Sequence, residues 1–90
     1  MSTVTTITLD NLPTDTPARI SAVDWSQLVE EEARRLRALG LDVGAVVRVE
    51  HRGVLFGRDP LAIRIGRMMV ALRRVHACAM SVEALVEVGA

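Results

Sequence analysis

The sequence predicts a mainly β fold, a small barrel with one inserted α-helix over about residues 25–39. Three observations carry this. Apolar residues alternate with period two after residue 44, and before it they fall at helical spacing over one stretch only. Turn residues punctuate the chain at short intervals, and 90 residues with 50% hydrophobic content suffice for one compact core. Several short strands in so short a chain favour a sheet that closes on itself. The expected organisation is one domain over residues 1–90, with 1–8 a loosely ordered lead-in.

In the lead-in, Ile7, Leu9 and Leu12 are spaced to anchor an extended segment ahead of the Pro13–Pro17 punctuation. Ala18 to Val23 alternates weakly and reads as a first strand. The period then changes: Trp25, Leu28, Val29, Ala33, Leu36 and Leu39 line one helical face. Asp24 or Ser26 can cap that helix, and Glu30, Glu31 and Glu32 stand where the helix dipole favours negative charge. Glu30 with Arg34 and Glu31 with Arg35 are i,i+4 pairs, each worth about 0.2–0.5 kcal/mol. Gly40 occupies the position at which a helix stops in a left-handed residue, with Leu41 placed to pack back on Leu36.

Gly44 closes a short turn. Val47 and Val49 then share one strand face and Arg48 and Glu50 the other. Leu61, Ile63 and Ile65 alternate with Ala62 and Arg64. Gly66-Arg67 fits a two-residue type II′ hairpin leading to Met68, Val70 and Leu72. Arg73 to Ala77 forms a helical turn, and Met80 and Val82 begin a last strand.

Eleven basic residues balance eleven acidic ones, and every basic residue is arginine. The balance is uneven along the chain. Residues 1–32 carry a net charge of −5, residues 33–74 of +7 and the remainder of −2. Small barrels often bind nucleic acid, but Trp25 and Phe56 are the only aromatic residues. With overall neutrality this argues against base stacking, and no nucleic acid is expected. A single cysteine, Cys78, excludes an internal disulfide and suits a reducing compartment. No apolar run approaches membrane-spanning length, and the first ten residues lack the features of a signal peptide. A cytoplasmic protein is expected.

Catalysis finds no support. His51, His76 and Cys78 are the candidate nucleophile, base or ligand types, and no tyrosine or lysine accompanies them. Cys78 shares strand phase with Met80 and Val82, which predicts a buried, inert thiol. Consecutive Glu30, Glu31 and Glu32 diverge around a helix and make no carboxylate pair. No CxxC or HxxxH spacing links the histidines and the cysteine, so no metal site and no cofactor are expected. Gly40-x-x-x-Gly44 lacks the Gly-Lys-Ser/Thr of a phosphate loop. What remains is a surface. Val54-Leu55-Phe56 between Gly53 and Gly57 is an apolar loop flanked by Arg52 and Arg58, which suits a protein contact with a polar rim. Arg73-Arg74, beside a turn, is a second candidate.

The order of these pieces resembles a known family. Arg35-Leu36-Arg37-Ala38-Leu39-Gly40-Leu41-Asp42-Val43-Gly44 is similar to the "RL..LG...G" segment of ferrous iron transport protein A (FeoA). Gly57-Arg58-Asp59-Pro60 resembles that family's "G-D-P" turn with one residue inserted. Leu61 to Ile65, then Val70-Ala71-Leu72-Arg73-Arg74 with Ala77, are similar to its closing strand and "LRR..A" ending. Leu9 to Ile20 fits its opening strand. Where the family has a glycine before that strand, this chain reads Thr14-Asp15-Thr16-Pro17. The resemblance implies an SH3-like barrel and an accessory role in ferrous iron uptake. The implied partner is the cytosolic G-protein portion of the transporter FeoB, with membrane contact only through that partner. Self-association stays open, and the alternative role is a metal-responsive or nucleic-acid-binding regulator. Similar domains accompany iron- or manganese-responsive repressors, but no helix-turn-helix accompanies this one.

Overall fold

The computed structural model describes residues 6–52 and 59–85. Its six strands form one antiparallel sheet in the order β1-β6-β2-β3-β4-β5. The strands are β1 (Thr6–Thr8), β2 (Ala18–Val23), β3 (Val46–His51), β4 (Leu61–Ile65), β5 (Met68–Leu72) and β6 (Met80–Ala84). The helices are α1 (Glu30–Ala38), inserted between β2 and β3, and α2 (Arg74–Ala77), between β5 and β6. Period-two alternation places Val47, Val49, Leu61, Ile63, Leu72 and Val82 in the core, with Leu36 and Leu41 from the helix side.

The segment at residues 6–12 is anchored to the sheet. Thr6–Thr8 pairs with β6, and a 3-10 turn at Leu9–Asn11 follows it. Leu9 and Leu12 are fully buried, so two large apolar side chains hold this segment against the sheet.

The helix expected over 25–39 is broken in two. Trp25–Gln27 is a 3-10 turn, and the α-helix begins only at Glu30. The cause is local. The Asp24 carboxylate accepts from the backbone N–H of Ser26 at 3.2 Å and from Gln27 Nε2 at 2.8 Å, tightening the turn. The Ser26 hydroxyl, which donates to the same carboxylate at 2.5 Å, is the main reason the Asp24 carboxyl is held below its usual range. Leu28 then goes extended, which buries its side chain, and Val29 is exposed instead of joining the apolar face. Arg37 stacks over the Trp25 ring, 4.8 Å from its centroid, and ties the turn back to the helix. Of the two expected ion pairs, Glu30–Arg34 forms at 3.3 Å. Arg35 turns to Glu32 at 2.5 Å instead of to Glu31.

The stop at Gly40 is as expected. Gly40 has φ +97°, its N–H donates to the Arg37 carbonyl, and the Leu41 N–H donates to the Leu36 carbonyl. In the β4–β5 hairpin Gly66 has φ +58°, as the first central position of a type II′ turn requires.

Two bulges change side-chain phase. One falls between Ile20 and Ala22 on β2, which turns Ala22 outward and explains the weak alternation there. The other falls between Val49 and His51 on β3, at Glu50.

Candidate functional site

Of the residues singled out as an interaction loop, Val54, Leu55, Phe56 and Arg58 lie outside the described residues. Arg52 is described, and its guanidinium is already engaged. Nη1 donates to the Asp10 carbonyl at 2.7 Å and Nη2 to the Leu12 carbonyl. Those carbonyls belong to the 3-10 turn that follows β1 and to its cap. Arg52 therefore ties the end of β3 to the lead-in.

Arg73 and Arg74 are both exposed at the start of α2. The Arg74 backbone N–H donates to Asp59 Oδ1 at 2.7 Å, and its Nε lies 4.0 Å from Asp10 Oδ2. Arg73 makes no ion pair among the described residues. Next to them Val75 is 52% exposed, so this turn presents two arginines and an apolar side chain together. Met68 and Met69 on β5 are also exposed. Val75 was not readable as a surface residue, because a single helical turn is too short to show a buried face.

Cys78 corrects the sequence reading. It is exposed, and its thiol donates to the Val75 carbonyl at 3.0 Å. The residue caps α2 with helical backbone angles, and the strand starts only at Met80. Its side chain therefore follows helical phase, away from the face that buries Met80 and Val82.

His76 is mostly buried, with Nδ1 3.7 Å from Glu32 Oε1 and without a hydrogen-bond partner among the described residues. Glu32 is held below the usual carboxylate range chiefly by its hydrogen bond from Arg35. Among the described residues no three of His, Cys, Asp and Glu come together in a way that could hold a metal ion. No helix among them is long and apolar enough to cross a membrane.

A feature that sequence reading missed lies on the outer face of the sheet. Arg48 on β3 stands directly opposite Arg64 on β4. Glu50 Oε1 accepts from Arg48 Nε (3.1 Å) and Nη2 (2.7 Å) and from Arg64 Nε (2.6 Å). These bonds, the Arg48 ones foremost, hold the Glu50 carboxyl below its usual range. Beside them is an open hollow of about 220 Å³ lined by Pro17, Val46, Val47, Arg48, Arg64 and Gly66. Alternation put Arg48 and Glu50 on one face, but only the strand register brings Arg64 to them.

Residues 7–84 match the FeoA domain. The chain belongs to the FeoA domain family. FeoA from Stenotrophomonas maltophilia, a crystal structure in complex with zinc, is 36% identical. The match covers 84% of this chain and 88% of that one, with a TM-score of 0.70. That protein is described as an SH3 domain protein and a candidate ferrous iron transport activating factor. Iron(II) transport protein A from Clostridium thermocellum is 25% identical over 88% of this chain, with a TM-score of 0.75. This FeoA domain spans about half, 46%, of that relative. A manganese-dependent transcriptional repressor shares the fold at 16% identity and a TM-score of 0.76, over 94% of this chain and 45% of its own. No functionally curated protein matches the sequence. The FeoA fold here is the SH3-like barrel that the resemblance implied, elaborated by β1 and the two helices.

Asp15, in the turn ahead of β2, has φ +62°. Asp is among the few residues with a side chain that enter this region at modest cost, so this turn has a left-handed residue that is not glycine. The Asp15 N–H donates to the Val49 carbonyl at 2.9 Å, which fixes the turn against β3.

Proposed function

We propose that this protein is a cytoplasmic accessory factor of ferrous iron uptake that binds the cytosolic G-protein portion of a FeoB-like transporter and modulates it. The observation that carries the reading is the FeoA domain match over residues 7–84. The 36% identity to the S. maltophilia protein, described as a candidate transport activating factor, points the same way. Nothing in the chemistry of the described residues asks for a reaction. The exposed side chains at the start of α2 are Arg73, Arg74 and Val75, which suit recognition.

The contact surface proposed from the sequence is the Val54-Leu55-Phe56 loop, with Arg73, Arg74 and the exposed Val75 as the next surface. Burying a side chain the size of Phe56 contributes about 1.5–3 kcal/mol, enough to dominate a weak, regulated interface. The test is a pull-down with the transporter's cytosolic portion, with and without GTP. Wild type is expected to bind, and Leu55→Asp with Phe56→Asp to stay folded and bind at least tenfold more weakly. Loss of fold in that variant would make these side chains core. Normal binding by it would move the contact to Arg73-Arg74.

A further inference from the structure

Two arginines directly opposite each other on neighbouring strands repel, and such pairs are normally destabilising. Here the repulsion between Arg48 and Arg64 is relieved by one carboxylate, and on one of its oxygens only. Asp15 adds a weaker attraction to Arg48 from a distance. The bulge on β3 falls at Glu50, two residues from Arg48 on the same strand face. Arg64 spends only Nε on Glu50, and its Nη1 and Nη2 donate to no other described residue. Arg48 likewise keeps Nη1. Both arginines are about 40% exposed on their side chains, 42% and 40%, while Glu50 beneath them is 14% exposed. Both arginines line the hollow of about 220 Å³ whose other walls are Pro17, Val46, Val47 and Gly66.

Apolar walls with a guanidinium rim match a side chain that has an aliphatic stem and a charged tip. A carboxylate accepts two parallel N–H bonds from an arginine fork, a geometry that a lone surface charge does not offer. We infer that this hollow is a docking pocket for a glutamate or aspartate side chain on an acidic segment of a partner protein. The inference rests on the reading that the protein works by binding a partner, and it adds what that partner must present. Electrostatic attraction to a net positive rim would also make the association fall with salt.

The test uses the full chain, labelled with ¹⁵N, and a terminally blocked Gly-Glu-Glu-Gly peptide. Saturable shifts are expected at the amides of Val46, Val47 and Gly66. The Gly-Gln-Gln-Gly peptide should leave them in place, and inorganic phosphate should not compete. Arg64→Gln should weaken the glutamate peptide at least tenfold without lowering the melting temperature, since it also removes the repulsion with Arg48. Absence of saturable shifts at those amides would overturn the pocket. So would equal binding of phosphate, which marks a general anion site, or unchanged binding by Arg64→Gln. The transporter's cytosolic portion supplies a separate arm. If it binds wild type and Arg64→Gln equally, the pocket inference fails. If it binds neither while the peptide result holds, the transporter reading fails and the acidic pocket stands.

Discussion

Leu41 donates its backbone N–H to the carbonyl of Leu36 across 2.9 Å, and both side chains are fully buried. The helix stop is thus at once a hydrogen-bonded cap and a core contact, and both depend on the left-handed residue between them. Gly40 has φ +97° and open space where a Cβ would stand. Gly40→Val should therefore cost its backbone strain alone, more than about 1 kcal/mol. A melting temperature equal to wild type would remove the cap from the account of stability.

Asp15 offers the converse case, a left-handed residue with a side chain. Asp15→Gly is expected to change stability by less than about 0.5 kcal/mol, because relief of strain and the added freedom of the unfolded chain offset each other. Asp15→Val should lose about 1–2 kcal/mol. Urea denaturation of the two variants decides it, and equal midpoints would show that φ +62° at this turn carries no strain.

Arg52 joins the end of β3 to the carbonyls of Asp10 and Leu12. Arg52→Ala leaves both carbonyls without their charged donor and should destabilise by about 1.5–3 kcal/mol, the range for hydrogen bonds to charged groups. Guanidinium or urea unfolding measures it. A stability equal to wild type, with partner binding reduced, would return Arg52 to the rim of the neighbouring loop.

The pH response follows from Glu50. Its carboxyl is held below the ordinary value of 4.5 in the folded protein, first by Arg48 and then by Arg64. A depressed folded value means that the unfolded chain takes up the proton first. The contribution of Glu50 is therefore complete above about pH 4.5 and is lost as pH falls through the folded value. Glu32, depressed by Arg35, acts in the same direction. Thermal melts at about pH 7 and about pH 3 should show a larger fall for wild type than for Glu50→Gln. Equal falls would mean that the Arg48–Glu50–Arg64 cluster adds nothing to folding.

Much of the fold was readable from neighbouring residues because it is governed by short-range causes. Leu61 to Ile65 alternates, Gly66-Arg67 turns the chain, and Leu36 to Leu41 stops a helix by backbone geometry that six residues contain. Ala18 to Val23 was readable as a strand for the same reason, although the bulge within it was not. The helix start misled because Asp24 competes for backbone donors over two or three residues, and an apolar stripe at helical spacing does not register that competition.

What the chain determined by itself was periodicity, turn chemistry and the family pattern, each set by steric and hydrogen-bond rules acting over a few residues. Tertiary structure alone decided the partners of the charged groups on the sheet. Register set Arg48 against Arg64 and so brought Arg64 to Glu50, and Arg52 crossed 40 residues of sequence to reach Leu12. It also decided that Cys78 faces outward, since a helical turn and a strand place the same residue on different sides. Long side chains meet wherever packing brings their backbones together, and the linear pattern carries no trace of that distance.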